Sequence, residues 1–347
     1  MLFLNFDLNV DNILCDCDSW IKHVNDQWEP ESLRVKQLSG GTTNSLFSLS
    51  SSVDDFSNPV LLKVFGLRTE ILINRAAEVD TFHNLHRLKL GPRLIAQFNN
   101  GLVYEYVKGV PLTAASFRLP KFSIMIAHQT AIWHSSLSNK TYQKPAIFDC
   151  LKRWILATDS NDPFTLSENR IINSEVLFQE YLDCCRRMLI SLPSTGVVSC
   201  NIRNLQIQNG HSPRSRFPLE NTTTRYRKKL KRFYCVLLNA YNFCSFEIAN
   251  YFVEWCGIET INLDDFPSHE QQRLFIERYM TEYRRIKELP LPSSAEISEL
   301  LCAVNVMVPI VSFYWGVWAY FQHSNSITDF DYLHYADVKL SAYFSSK

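Results

Sequence analysis

The sequence predicts an α+β protein of two lobes, a small sheet lobe over residues 1–107 and a large, mainly helical lobe over 108–347. Three observations carry this. Short alternating or β-branched runs, punctuated by glycine and asparagine turns, dominate the chain before Gly109. Long stretches of helical periodicity dominate it afterwards. With 347 residues, 46% of them hydrophobic, the chain is long and apolar enough to bury a large core.

Taken in order, Leu2, Leu4, Phe6, Leu8 and Val10 alternate as a strand does. Asp11 can cap a helix running to about Asp26, with Trp20 and Ile21 on its apolar side. Leu38 to Phe47 reads as a glycine turn between two strand-like runs. Its glycines would let backbone N–H groups approach a phosphate, although an ordinary hairpin turn has the same letters. Ser48 to Asn58 reads as a polar loop, and Val60 to Gly66 as a buried strand carrying one cation, Lys63. Thr69 can cap a helix from Glu70 to about Leu88, with Ile71, Leu72, Val79, Phe82 and Leu85 on its core face. A strand cation followed by a helix glutamate, Lys63 and Glu78, suits the aiming of an ammonium at nucleotide phosphates; two solvated surface charges would read alike. Arg93–Phe98 and Leu102–Val107 form a hairpin about Asn99-Asn100-Gly101.

Beyond Gly109, helices are predicted over Lys121–Ser138, Ser167–Ser191, Glu270–Glu288, Ile297–Gln322 and Ile327–Phe344. His128 and His134 read as core or surface histidines before they read as ligands. Leu300 to Thr328 holds no Asp, Glu, Lys or Arg, and Ala303–Phe321 is long enough to span a bilayer. Asn305, Pro309, Ser312 and Gly316 interrupt that run and no basic cluster flanks it, so a buried core helix is expected and no membrane span.

Lys+Arg and Asp+Glu balance at 35 each, so no global field favours nucleic acid or an anionic membrane. Between Arg214 and Arg232, eight of nineteen residues are Lys or Arg, which reads as a solvated insertion before a nucleic-acid patch. The ten cysteines form no Cys-x-x-Cys pair, and the N-terminus lacks the pattern of a secretory signal. Free thiols and a cytoplasmic location are therefore expected.

Several motifs resemble the choline/ethanolamine kinase family. Tyr241-Asn242-Phe243 through Phe246-Glu247-Ile248-Ala249-Asn250 to Glu254-Trp255 is similar to that family's run of Tyr-Asn-Tyr through Asp-Ile-(Ala/Gly)-Asn to Glu-(Phe/Trp). So are the glycine turn, Gly91-Pro92, Phe98 to Gly101, Phe313 to Ala319, and Phe330 with Tyr335-Ala336. The resemblance spans about residues 30 to 345 and is closer to the ethanolamine branch. It implies a protein-kinase-like fold and ATP-dependent phosphorylation of ethanolamine to phosphoethanolamine, a step toward phosphatidylethanolamine, with Mg²⁺ as metal. It further implies nucleotide contacts at Gly41, Thr43, Asn44, Lys63, Glu78, Glu105 and Val107. Glu254, Trp315, Trp318, Phe330 and Tyr335 would receive the amine, ethanolamine or choline, and a homodimer is compatible with the family.

The chain departs from that pattern over 201–240. Where the family carries its base aspartate the sequence has Arg203, and where it carries its metal aspartate and a following acid the sequence has Cys235 and Leu237. Arginine cannot accept a hydroxyl proton, and cysteine is a poor ligand for a hard cation. No catalytic or metal-binding residue is assigned. Two readings stay open: an ethanolamine kinase whose segment 201–240 is misreported, and a catalytically silent relative acting as a binding or regulatory partner. A basic-loop nucleic-acid binder ranks behind both.

Overall fold

A computed structural model describes residues 2–9, 13, 17–38, 44–54, 57–66, 69–70, 73–109, 112–136, 145–158, 163–191, 242–258, 261–326 and 330–346. The chain divides into two compact units, Met1–Gly109 with Asn325–Phe330, and Val110–Ser324 with Asp331–Lys347.

The first unit is built on a six-stranded sheet of β1 (Leu2–Leu4), β2 (Leu33–Leu38), β3 (Asn44–Ser51), β4 (Val60–Phe65), β5 (Leu94–Phe98) and β6 (Gly101–Glu105), in the order β1-β5-β6-β4-β3-β2. Only β1–β5 is parallel; the other pairings are antiparallel. Strand alternation sends Leu49, Leu62, Val64, Ala96, Phe98 and Val103 into a core shared with Trp20 and Ile21 of α1 (Cys17–Val24) and with Trp28. Each of the Leu, Ile, Val and Phe side chains among these contributes roughly 1.5–3 kcal/mol on burial. A smaller apolar cluster joins Phe82 of α2 (Arg75–Arg87) to Leu94 and Leu102.

The Asn-Gly turn does two things beyond reversing the chain. The Asn100 side chain accepts from the Leu8 N–H at 2.8 Å and donates to the Leu8 carbonyl at 2.9 Å. It thereby holds the N-terminal segment whose regular strand ends at Leu4 rather than continuing to Val10. At Gly101, an added Cβ would lie 2.8 Å from the Lys63 carbonyl oxygen, so the missing side chain lets β6 approach β4 beside the cation.

Other boundaries also differ from the sequence reading. The helix expected from Glu70 begins at Arg75, because Asn74 supplies the cap, its Oδ1 accepting from Ala77 N–H at 3.1 Å. Thr69 instead donates its hydroxyl to the Gly66 carbonyl at 2.8 Å. Ser48–Ser51 belong to β3 and not to a polar loop, since Leu49 faces the core and Ser51 pairs with the Ser32 hydroxyl at 2.6 Å. The helix expected from Ser167 starts at Ser174, after a small hairpin of β7 (Phe164–Thr165) and β8 (Ile171–Ile172). The last helix starts at Tyr332, where Asp331 caps it by accepting from His334 N–H at 3.0 Å. The proposed Asp11 cap lies outside the described residues.

The second unit is helical: α3 (Ala114–Phe117), α4 (Pro120–Ser136), α5 (Ala146–Ala157), α6 (Ser174–Ser191), α7 (Cys244–Val253), α8 (His269–Ile286), α9 (Ser294–His323) and α10 (Tyr332–Ser345) among the described elements. Helix α5 escaped the sequence reading. Capping boxes start α8 at Ser268/Gln271 and α9 at Ser293/Glu296, each satisfying two N-terminal N–H groups reciprocally. Helix α9 is long and apolar enough to cross a membrane, yet it is the unit's central packing element, with α5, α6, α7, α8 and α10 against it. It runs through Pro309 as one helix despite the hydrogen bond that proline removes. His134 is half-buried and hydrogen-bonded, its Nδ1 3.0 Å from the Tyr279 hydroxyl.

Candidate active site

In the first unit, Lys63 at the centre of β4 extends its ammonium to Oε1 of Glu78 on α2 at 2.5 Å. Strand alternation turns Lys63 away from its core-facing neighbours Leu62 and Val64, and Glu78 lies one turn into the helix on its buried side. The carboxylate is 2% exposed and has a second cation: Arg75 donates to Oε2 at 2.8 Å. Burial pushes the Glu78 carboxyl up, but Lys63 and then Arg75 more than reverse this and hold it below the ordinary range. Glu78 is thus an anion at any neutral pH, with one oxygen committed to each cation.

Asn44 opens β3, opposite Phe65 at the end of β4, and its Oδ1 accepts from Arg75 at 3.3 Å. Gly41 and Thr43 lie outside the described residues. Glu105 ends β6 and is engaged with Arg93, accepting from its backbone N–H at 3.1 Å and its Nε at 3.0 Å. Val107 follows as half-buried chain outside any regular element.

In the second unit, the Phe-Glu-Ile-Ala-Asn motif forms α7, whose every residue is buried. Glu254 continues it as the first residue of a single 3₁₀ turn. Trp315 and Trp318 share one face of α9, as their spacing requires, with ring centroids 5.3 Å apart at 85°. The Trp318 ring meets Tyr335 of α10 at 6.3 Å and Tyr332 at 5.7 Å, both edge-on. Gly316 makes this approach feasible: a Cβ there would lie 2.6 Å from Leu340 Cγ. The Trp315 indole N–H donates to Asn250 Oδ1 at 2.6 Å, which locks its ring to α7.

The sequence reading missed one charged partner here. Lys339 is 2% exposed and holds its ammonium 5.2 Å from the Tyr335 ring centroid. Burial pushes its pKa down while Glu254 and Cys256 oppose that shift. Burial likewise pushes the Glu254 carboxyl up while Lys339 opposes it. A lysine in a helical run of apolar residues gives no sequence signal of burial; its one-turn spacing from Tyr335 was the available clue. Phe330 belongs to the short segment Asn325–Phe330 grouped with the first unit and is half-buried.

Arg203, Cys235 and the whole of 201–240 lie outside the described residues. Among the described residues no three His, Cys, Asp or Glu side chains gather closely enough to hold a metal ion.

The Choline/ethanolamine kinase family model matches residues 35–344. The chain belongs to the choline/ethanolamine kinase family. Its similarity to human ethanolamine kinase 2 is 29% identity over 353 residues, covering 99% of this chain and 84% of that one. Mouse ethanolamine kinase 2 is 30% identical over 338 residues, covering 97% and 82%. Among solved structures, Plasmodium vivax ethanolamine kinase superposes with a TM-score of 0.67 at 17% identity, covering 95% of this chain and 87% of that one. Choline kinase from Cryptosporidium parvum Iowa II gives 0.65 at 20% identity, covering 97% and 95%. At these identities the structures establish the fold, and the α+β, kinase-like architecture expected from the sequence is the one found. Within the family frame, the described site residues form two groups. Asn44, Lys63 and Glu78 converge in the first unit through Arg75, and Trp315, Trp318 and Tyr335 converge in the second.

Proposed function

We propose that the protein is an ethanolamine kinase by descent that binds ATP through Gly41, Thr43, Asn44, Lys63 and Glu78 and binds ethanolamine through Trp315, Trp318, Tyr335 and Glu254. The observation that carries this reading is the aromatic group on α9 and α10. Three rings meet edge-on, one is fixed by a hydrogen bond to Asn250, and an acid stands at the end of the motif that supplies Asn250. A desolvated cation gains about 0.5–2 kcal/mol from each such ring, and the carboxylate supplies the counter-charge. The nucleotide's phosphates would take up the two Lys63 N–H groups not committed to Glu78.

The chemical step is the part the chain is poorly equipped for. Transfer to an alcohol needs an acceptor for the hydroxyl proton and a carboxylate-bound metal to spread charge on the phosphates. Arg203 and Cys235 occupy the positions where the resemblance expects those acids. A second reading, a silent relative that binds amine and nucleotide as a regulator or dimer partner, rests on those two substitutions.

Calorimetric titration of the purified chain with ethanolamine, choline and ATP, followed by an assay for ATP-dependent phosphoethanolamine, tests both. Saturable ethanolamine binding, lost in a Trp315→Ala, Trp318→Ala double variant, is expected. Identical heats from the wild type and that variant would refute the amine site. Substantial turnover would refute the silent reading.

A further inference from the structure

We propose that Arg75 is a positioning residue of the nucleotide-phosphate site: it holds Glu78 by one oxygen, so that the other aims Lys63, and it ties the pair to Asn44 at the start of β3. This rests on the nucleotide-binding reading above and deepens it.

The geometry is specific. The guanidinium carbon of Arg75 lies over the ring of Phe65, 3.6 Å from its centroid. One of its nitrogens donates to Glu78 Oε2 at 2.8 Å; another donates to Asn44 Oδ1 at 3.3 Å and to the Thr69 hydroxyl. These partners come from four places: the start of β3, the end of β4, the connection after β4, and the first turn of α2. Asn44 and Phe65 are themselves cross-strand partners. Arg75 therefore pins the end of the β3–β4 ladder to the helix that carries Glu78.

Two consequences follow from the chemistry of the groups. A lone Lys63–Glu78 pair would let the carboxylate rotate with its lysine, and a carboxylate held at one oxygen by a rigid fork cannot follow. When a nucleotide's phosphates draw on Lys63, Glu78 also keeps a second counter-charge, so the buried anion is not left exposed to desolvation. A lysine at position 75 would retain the charge but could not reach three acceptors in one plane while covering Phe65.

The test measures ATP and adenosine affinity and thermal midpoint for the full chain, Arg75→Met, Arg75→Lys and Thr69→Val. Adenosine lacks phosphates and reports the rest of the nucleotide site. Arg75→Met is expected to weaken ATP binding by about tenfold or more, and Arg75→Lys to recover part of that loss. Adenosine affinity should stay within about twofold of wild type, because neither Lys63 nor Glu78 touches it in this reading. If Arg75→Met does not fold, Thr69→Val removes one acceptor alone and should cost ATP affinity about two- to threefold. Equal ATP affinity in the wild type and every folded variant would overturn the role of Arg75 while leaving the nucleotide site standing. Parallel loss of ATP and adenosine would reduce Arg75 to a stabilising residue. A wild-type chain that binds adenosine and ATP equally, or neither, would overturn the phosphate-site reading and this inference with it.

Discussion

Trp315 donates its indole N–H to Asn250 Oδ1 at 2.6 Å, joining two helices whose residues are 65 positions apart in the chain. Asn250 sits inside the most family-like stretch of the sequence, and its side chain fixes the orientation of a ring in the candidate amine site. The motif and the pocket are thus mechanically one unit.

This makes Asn250→Ala a sharp probe. It leaves a half-buried indole N–H without its acceptor and should cost about 1–2 kcal/mol in urea unfolding. Trp315→Phe removes the donor instead. If the hydrogen bond is what couples them, the double variant should cost clearly less than the sum of the singles. Strict additivity would show that the two side chains act independently.

Ethanolamine binding should depend on pH through Glu254. Burial pushes this carboxyl above the ordinary range, while Lys339 opposes the shift; Tyr335 and Cys256 also face the pair. A primary ammonium stays charged across pH 5–8, so it favours the ionised carboxylate. Affinity should therefore be full above the raised carboxyl pKa and fall as pH drops through it. Glu254→Gln should flatten that profile at weak affinity. Lys339→Met removes the opposing charge, so the same fall should move to higher pH. A wild-type profile that falls no more steeply on acidification than that of Glu254→Gln would discard Glu254 as the counter-charge.

Glu78, whose carboxyl is shifted the other way, should also make the fold acid-sensitive. Its carboxyl lies below the ordinary value in the folded state, so its stabilisation is present above the unfolded pKa of about 4.3 and is lost as pH falls through the lowered one. The thermal midpoint of the wild type should decline more steeply below pH 4 than that of Glu78→Gln. Parallel curves would mean that the ion pairs with Lys63 and Arg75 contribute nothing measurable.

Replacing residues 201–240 with the short acidic loop of an active ethanolamine kinase should raise phosphoethanolamine formation by at least about 10²–10⁴-fold, the usual worth of a general base. An inactive hybrid that still binds ATP and ethanolamine would place a second defect outside that segment.

Much of the fold was legible in the sequence because its signals are local. The Asn-Gly hairpin, the alternation in β4 and the 30-residue run of α9 each follow from periodicity or turn chemistry. Boundaries were less so: Thr69 and Asn74 both suit a helix cap, and only the geometry shows Asn74 capping while Thr69 serves Arg75. In the site, Lys63–Glu78 and Trp315–Trp318 could be read from spacing together with the resemblance. Arg75 and Lys339 could not, since a charged residue on a helix looks the same whether it meets water or a buried carboxylate. The glycine turn at Gly41 and Thr43, and the positions of Arg203 and Cys235, stay as sequence readings.

At Gly316, an alanine would place its methyl carbon 2.6 Å from Leu340 Cγ, on the two helices that bring Trp318 and Tyr335 together. The spacing of those rings is therefore keyed by a single hydrogen atom, at a position that touches no substrate and carries no charge. Gly316→Ala has to pry α9 from α10 by a few tenths of an ångström or more. Such a change would read in a variant screen as a harmless small-residue exchange while moving the rings of the candidate amine site apart. If those rings receive the amine as proposed, discrimination between a compact primary ammonium and a bulkier trimethylated one would drift through the helix interface alone, with Trp315, Trp318 and Tyr335 left intact.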